Sequence, residues 1–304
     1  MQPQEVVQAT NVQEFNLDGR ASIGEIYQAL LTLADGGWQL ETIYDQPTII
    51  ADQAVTLPTV SLRTPQTGQA LWLIGGIHGE EPAGPNAIAR QVKILSALGQ
   101  KFPIVLLPLL NPEGYRRGWR YPDEARDWHK GHSVSDAEHV LPSIEVPTKA
   151  RRPEPASENC AALTNYVLEL ARAYPPRLVI DLHEDENPGN SYIYSHGVGG
   201  ANDAVGRELV TMLQAVGVTI ESQGTTRFGE AIIEGVVSNV HDGSIDEMLA
   251  SQSVIVGGQA VPGPAAPSVI VVETPASRLP LPSRIDIHVG IIAALEKLWG
   301  LLPQ

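Results

Sequence analysis

The most informative stretch of the chain is residues 70–84, Ala-Leu-Trp-Leu-Ile-Gly-Gly-Ile-His-Gly-Glu-Glu-Pro-Ala-Gly. An uninterrupted apolar run that stops at two glycines is typical of a strand buried on both faces, as in a parallel sheet. Pro82 then favours the first turn of a helix, which we expect to continue to about Leu98. A buried strand, a short turn and a helix in succession indicate an α/β protein.

The rest of the chain continues this alternation. Further strands are predicted near residues 40–44, 56–62, 102–110, 177–182 and 268–272, and further helices near 22–33, 157–173, 201–216 and 282–301. His288 is expected on an exposed face of the last helix. Residues 111–156 have no clear period and many charges, which indicates a long functional loop region. We predict a three-layer α/β sandwich, in which helices flank a central mixed, mostly parallel sheet. The expected organisation is one catalytic domain over residues 1–304, in which residues 1–60 could form an N-terminal extension packed on the core.

Composition excludes several classes of function. The chain has 304 residues, with 35 acidic and 20 basic side chains and a net charge of −15. General binding to nucleic acid or to an anionic membrane is therefore not expected, because such surfaces need an excess of cations. The single cysteine, Cys160, excludes an internal disulfide and a cysteine-rich zinc site. We see no signal peptide and no membrane-spanning run, and we expect a cytoplasmic protein.

Two histidines follow buried strands. His78 comes after the strand at 70–76 and stands three residues before Glu81, and His183 ends the run Val179-Ile-Asp-Leu. Because ligands of α/β sheets bind at the carboxyl ends of the strands, these side chains could meet at one edge. Two imidazoles and one carboxylate, with a position left for water, are the ligands of many catalytic zinc ions. Taken singly, Glu81 could be a helix N-terminal acid, and His183 could simply bond Asp181 or Asp185.

Two further features suggest hydrolytic chemistry. Glu273 ends the apolar strand at 268–272, where a carboxylate is costly unless it is paired or functional, and it could be a general base. Five cations cluster within a short segment, namely Arg116, Arg117, Arg120, Arg126 and Lys130. Such a cluster suits an anionic substrate group or a developing oxyanion. Local donors to Glu273, and loop ion pairs to Asp123, Glu124 and Asp127, are the ordinary alternatives.

Together and in this order, these motifs resemble the zinc carboxypeptidases related to carboxypeptidase A. That family includes deacylases such as succinylglutamate desuccinylase and aspartoacylase. The resemblance covers residues 70–275. It is carried by the motifs His78-Gly-Glu-Glu81, Asn111-Pro-Glu-Gly114, Arg117-Gly-Trp-Arg120, Asp181-Leu-His183, Gly243-Ser-Ile-Asp246 and Glu273-Thr274.

The resemblance implies a role for each matched residue. His78, Glu81 and His183 would bind one zinc ion per chain. Glu273 would be the catalytic base, and Arg120 would stabilise the oxyanion.

The chain departs from the family pattern at the expected carboxylate-binding position. The family's Asp-x-Asn-Arg is replaced by Asp127-Trp-His129-Lys130, so we expect Lys130, with His129 and Arg117, to bind the substrate. Lysine is a point charge and not a bidentate fork, which alters the recognition of a carboxylate. Glu80 stands where the family often has arginine, and Leu249 stands where digestive members have tyrosine.

The sequence thus predicts a zinc-dependent hydrolase of amide bonds whose substrate carries a carboxylate. A metallocarboxypeptidase that releases C-terminal amino acids from peptides agrees best with Arg120 and with Gly243-Ser-Ile-Asp246. An N-acyl amino acid deacylase remains the alternative within the family. A binding protein that retains the metal without turnover is the alternative from another class, although a binder would not need Glu273.

Overall fold

The computed structural model describes residues 18–50, 52–121, 137–152, 154–186 and 190–303. In this part of the chain, one large sheet lies between two layers of helices. The strands of the described residues are β1 (Gln39–Ile50), β2 (Gln53–Arg63), β3 (Ala70–Gly75), β4 (Ile104–Leu107), β5 (Pro176–Asp185), β6 (Ile193–Ser195), β7 (Gln223–Thr225), β8 (Ala231–Ile233), β9 (Val236–Ser238), β10 (Ser253–Val256), β11 (Gln259–Pro262) and β12 (Ser268–Pro275).

The large sheet is mixed, as predicted. Within the described residues its strand order is β1-β2-β4-β3-β5-β12-β6-β9-β8-β7, and β10 and β11 form a separate hairpin. The four central strands, β4, β3, β5 and β12, run parallel. Antiparallel strands extend the sheet on both sides, with β6 and β9 as a further parallel pair. The carboxyl ends of β3, β5 and β12 therefore lie side by side.

Strand β3 shows why the apolar run at 70–75 is continuous. Successive side chains of a strand point to opposite faces of the sheet. Leu71 and Leu73 enter the apolar core on one face, whereas Trp72 and Ile74 enter the core on the other face. Both faces are buried, so alternation with polar residues would leave unpaired polar groups inside.

Helices cover both faces. They are α1 (Ile23–Asp35), α2 (Ala83–Arg90), α3 (Val92–Leu98), α4 (Pro112–Arg117), α5 (Glu158–Ala173), α6 (Ala204–Ala215), α7 (Ile245–Ala250), α8 (Leu281–Ala293) and α9 (Leu295–Gly300). Helices α1, α2, α3, α6, α8 and α9 contribute to the first core, and α5 and α7 to the second. The predicted capping box at Ser22 and Glu25 is formed. Among the described residues, no helix is both long and apolar enough to cross a bilayer.

Several predicted elements differ in the structure. The helix expected at 82–98 is divided at Gln91, and the last helix is divided at Ala294, because both residues leave ideal helical geometry. The prediction for His288 is wrong, since this side chain is fully buried. Helix α8 packs against α2 and β12, so the face that carries Ile285 and His288 is covered.

Candidate active site

The structure brings the three predicted metal ligands together at the carboxyl ends of β3 and β5. Nδ1 of His78 lies 3.0 Å from Oε1 of Glu81, and Nδ1 of His183 lies 2.9 Å from Oε2 of Glu81. The two Nδ1 atoms are 3.2 Å apart. Glu81 and His183 are buried, and His78 is nearly so.

The donor set fits a zinc ion. Each imidazole nitrogen carries at most one proton, and an ionised carboxylate carries none. Four ligand atoms from three side chains thus face one another with few protons to share among them, and a cation would satisfy all of them. Two imidazoles with one carboxylate, closed on one side by protein, are typical ligands of catalytic zinc.

Burial and neighbouring charges set the protonation of these ligands. Burial alone would raise the pKa of Glu81, but His78 and His183 hold that pKa well below its ordinary value. Burial lowers the pKa of His78, and the cationic Arg120 lowers it further. Glu81 is therefore the carboxylate anion, the form that binds a metal.

A turn between β3 and α2 presents His78 and Glu81. Gly76 has a φ of +65°, and a Cβ added there would lie 2.7 Å from Pro85 and 2.8 Å from Leu109. The backbone amide of Glu184 donates to Oε2 of Glu81 over 3.1 Å, which fixes this carboxylate relative to β5. The turn therefore requires glycine at position 76. It also depends on β5, whose Glu184 amide holds the Glu81 carboxylate in place.

A second turn, which begins at Asn111, packs against the turn that carries His78 and Glu81. The side-chain oxygen of Asn111 accepts from the amide of Gly114 over 2.8 Å, and its side-chain nitrogen donates to the carbonyl of Arg120 over 2.9 Å. The amide of Gly79 donates to the same carbonyl over 3.3 Å. The predicted turn motif therefore positions both Arg120 and the residue after His78.

Glu273 stands beside His183, because β12 and β5 pair in parallel with these two residues opposite each other. Its Oε2 atom is buried and has no hydrogen-bond partner among the described residues. The pKa of Glu273 is raised to about 8, and burial is the largest cause. The negative charges of Glu81 and Asp185 also raise this pKa, whereas the positive charge of His183 lowers it. A carboxyl group in this environment can hold or accept a proton near neutral pH.

Arg120 reaches the same place from the segment after α4. Its Nη1 atom lies 3.0 Å from Oε1 of Glu80 and 3.1 Å from Oε1 of Glu81. The side chain is 41% exposed. The guanidinium thus borders the ligand group and also faces solvent, where a substrate could reach it.

The structure separates Arg117, which was predicted to bind the substrate, from this group. Arg117 donates to Glu113 over 2.5 Å and stacks on the ring of Trp119, and Arg116 also pairs with Glu113. Among the described residues, Arg117 has no contact with the three candidate ligands. Lys130 and His129 lie outside the described residues, so their predicted role stays a prediction.

Two further buried carboxylates lie behind His183. Asp181 lies on the same face of β5, two residues earlier, and Asp246 lies on α7. Both are buried, and both offer a carboxylate oxygen within 4.8 Å of a ring nitrogen of His183. The sequence analysis offered Asp181 as a partner of His183, in agreement with strand alternation, whereas the approach of Asp246 to the same ring follows only from the packing of α7.

The comparisons with known proteins agree with this geometry. Residues 48–198 match the zinc carboxypeptidase family. The chain is a zinc metallohydrolase that is similar to this family over about half of its length. No curated protein sequence matches the chain significantly.

Solved structures share the fold. A metallopeptidase-like protein from Shewanella amazonensis is 20% identical to this chain, and the match covers 90% of each chain with a TM-score of 0.67. A metallo-carboxypeptidase from Burkholderia cenocepacia is 13% identical over 92% of this chain and 69% of its own, with a TM-score of 0.54. Carboxypeptidase A from Helicoverpa armigera is 12% identical over 97% of this chain and 80% of its own, with a TM-score of 0.53. At these identities the similarity is one of fold.

Proposed function

We propose that this protein is a metallocarboxypeptidase, which hydrolyses the last peptide bond of a substrate with a free C-terminal carboxylate. The observation that carries the proposal is the position of Glu273 and Arg120 on the border of the His78, Glu81 and His183 group. A buried carboxyl and a cation beside a zinc-type ligand set are the groups that amide hydrolysis needs.

We assign the zinc ion to His78, Glu81 and His183. Zinc held there would supply Lewis acidity, which polarises a carbonyl group and makes water more acidic. Glu273 takes a proton from the attacking water as the water oxygen bonds to the carbonyl carbon. Glu273 then delivers that proton to the departing nitrogen as the carbon–nitrogen bond breaks, so the products are a carboxylic acid and an amine.

Arg120 donates hydrogen bonds to the carbonyl oxygen as negative charge develops there. A donor in this position typically contributes a few kcal/mol to the stabilisation of the transition state. In the structure its Nη1 atom is shared between Glu80 and Glu81. The guanidinium has further N–H groups to offer, because arginine carries five.

The substrate carboxylate is assigned to Lys130, with His129 beside it. This assignment rests on their place after the Arg117-Gly-Trp-Arg120 motif in the sequence. A deacylase of N-acyl amino acids is the second candidate, because lysine replaces the arginine fork expected for a peptide terminus.

We also infer that residues 1–304 act as one catalytic domain. Helix α1 and the β1–β2 hairpin contribute to the same core as the central strands. The buried Arg20 donates to the carbonyls of Gly79 over 3.2 Å and Tyr115 over 2.8 Å, so it supports the turn that carries His78.

A substrate survey by mass spectrometry tests the proposal. Zinc-loaded protein is incubated with peptides that have free C-termini, with the same peptides amidated at the C-terminus, and with N-acyl amino acids. We expect stepwise loss of single residues from the free peptides only. Cleavage of only the N-acyl amino acids would instead assign the protein to the deacylases.

A pair of variants connects any cleavage to the site. Glu273→Gln should abolish turnover and leave the zinc content unchanged. Glu296→Gln makes the same chemical change at an exposed carboxylate and should leave turnover unchanged. Retained zinc with no cleavage of any substrate by the unmodified protein would favour the binding-protein alternative.

A further inference from the structure

We propose that Asp181 and Asp246 are positioning residues that hold the imidazole of His183 with Nδ1 directed at the zinc site. The proposal rests on the ligand role given to His183 in the proposed function. It assigns a function to the Gly243-Ser-Ile-Asp246 motif, which the hydrolytic chemistry itself leaves unused.

The two ring nitrogens of His183 face different carboxylates. Nδ1 lies 2.9 Å from Oε2 of Glu81 on the site side, and Nε2 lies 3.1 Å from Oδ2 of Asp181 on the side away from it. A metal-binding histidine usually donates its second ring N–H to a carboxylate or a carbonyl, which fixes both tautomer and orientation. Asp181 is placed to be that acceptor.

Asp181 is fully buried, and the ring of His183 is the polar group beside it. The side chain is 0% exposed, and it lies on a central strand opposite Ile74 on one side and Val271 on the other. Within the described part of the chain, neither carboxylate oxygen of Asp181 makes a directed hydrogen bond, and neither does Nε2 of His183, so the 3.1 Å ion-pair contact brings together groups that have no other polar partner. A buried carboxylate is costly unless a donor or cation compensates it, and the His183 ring is the donor within reach.

Asp246 adds a second negative charge behind the ring. It is 3% exposed, and one of its oxygens lies within 4.8 Å of both the His183 ring nitrogen and an oxygen of Asp181. Negative charge at this place stabilises the ring as Nδ1 gives electron density to a cation, so it strengthens the ligand.

The local sequence explains how Asp246 reaches this place. Gly243 has a φ of +82°, which turns the chain into α7, and the Ser244 side chain caps the helix by accepting from the amide of Glu247. Arg151 binds the Glu247 carboxylate with two hydrogen bonds of 2.9 and 2.7 Å, which anchors the start of α7. Helix α7 contacts both β5 and β12, so its first turn lies against the back of the site.

A second cation among Asp181, His183 and Asp246 is the competing explanation of the same cluster. His183 would then have to bind a cation through each nitrogen and give up both ring protons. A single ion with a hydrogen-bonded histidine requires no such deprotonation, and it agrees with the one-zinc arrangement.

The test measures zinc binding without substrate. We expect Asp181→Asn to raise the zinc Kd about 10- to 100-fold in a chelator competition, because the amide can no longer act as a pure acceptor. Asp246→Asn should raise the Kd less. The matched control is Asp203→Asn, an equally conservative change at a buried aspartate that caps α6, and it should leave the zinc Kd unchanged.

Two further readouts separate positioning from a general structural role. In zinc-loaded protein, the ¹⁵N shifts of His183 should show Nδ1 bound to the metal and a proton on Nε2 in the unmodified chain, and a fraction of rings bound through Nε2 in Asp181→Asn. Native mass spectrometry should show one zinc per chain. If Asp181→Asn does not fold, the same measurements on Asp246→Asn decide, since a smaller rise in Kd is expected there.

Three results would overturn the proposal. They are an unchanged zinc Kd in both variants, a His183 ring bound to zinc only through Nδ1 in Asp181→Asn, and a second bound zinc that Asp246→Asn removes. A protein that binds zinc through His183 but cleaves no amide would contradict the proposed function and leave this inference supported.

Discussion

Gly79 and Gly114 pack backbone against backbone. A Cβ atom added at Gly79 would overlap the main chain of Gly114 and Tyr115, and a Cβ added at Gly114 would overlap Asn111 and Trp119. The turn after His78 therefore fits against the turn after Asn111 only with glycine at position 79, and the turn after Asn111 itself closes only with glycine at position 114. Two motifs that are separate in the sequence form one rigid support for the metal site.

Replacement of Gly79 by alanine should damage both stability and zinc binding. The added methyl group meets backbone, which cannot move aside without shifting His78. We expect a loss of about 1–3 kcal/mol in the free energy of unfolding, the usual cost of overpacking, together with weaker zinc binding. Urea unfolding and chelator competition measure the two effects.

Gly290→Ala is the control for that variant. Gly290 lies exposed within α8, and nothing would contact its added Cβ. Alanine is the better helix former, so stability should stay equal or rise by up to about 1 kcal/mol. Equal behaviour of the two variants would show that the Gly79 contact does not constrain the site.

Removal of zinc should lower the melting temperature. A ligand that binds only the folded state at about 1,000 times its Kd stabilises the protein by about 4 kcal/mol. Chelation should remove this stabilisation, and added zinc should restore it. His78→Ala should melt at the same temperature with and without zinc, whereas His139→Ala, which changes a histidine outside the ligand group, should respond to zinc as the unmodified protein does.

Arg120→Lys should reduce turnover more than substrate binding. Lysine keeps the charge but lacks the planar fork of donors, so the developing oxyanion loses directed hydrogen bonds. We expect kcat to fall about 10²- to 10³-fold with a smaller change in KM, as measured by steady-state kinetics. Arg90→Lys, at an exposed ion pair with Asp286, should have no effect. An unchanged kcat in Arg120→Lys would contradict the assigned role.

Glu113 should make the free energy of unfolding depend on pH in the acidic range. Burial raises the pKa of Glu113, but hydrogen bonds from Arg116 and Arg117 lower the pKa by more, so it lies below the ordinary value. A carboxyl with a lowered folded-state pKa stabilises the protein fully above its unfolded pKa of about 4.3, and this stabilisation is lost as the pH falls.

Glu113→Gln tests this dependence. Breaking a buried pair costs about 3–5 kcal/mol, and we expect a loss of roughly this size at pH 7 in urea unfolding. The difference between the variant and the unmodified protein should shrink below about pH 4, where the unmodified Glu113 also begins to lose its charge. A difference that stays constant across pH would show that the ion pair is not its source.

Much of the central sheet could be predicted from the sequence. Strand β3 is a continuous apolar run, and β5 and β12 contain the shorter apolar runs 178–180 and 269–272, which lead to His183 and Glu273 at the site. The short strands β6 to β11 could not be predicted, because they have three or four residues each and their pairing depends on distant partners. For such segments tertiary packing overrides local preference.

The site was predictable where chemistry is concentrated in short motifs. His78, Glu81, His183 and Glu273 each stand at the end of an element, and strand order brings them together. Arg117 was predicted to bind the substrate, and the structure pairs it with Glu113 one helical turn earlier, a contact that the loop sequence did not indicate. Asp246 belongs to a recognisable motif, but its place behind His183 could not be predicted, since it depends on how α7 packs against β5 and β12.

The distance along the chain between the ligands has a consequence for how the protein acquires its metal. His78 and His183 are 105 positions apart, and β3 and β5 must already be paired before the two histidines meet. Of the three proposed ligands, His78 and Glu81 are the two that lie close together in the sequence, and this local pair is a weak chelate in the unfolded chain. Zinc should therefore bind late, slow unfolding more than it accelerates folding, and be retained only by molecules that have completed their sheet.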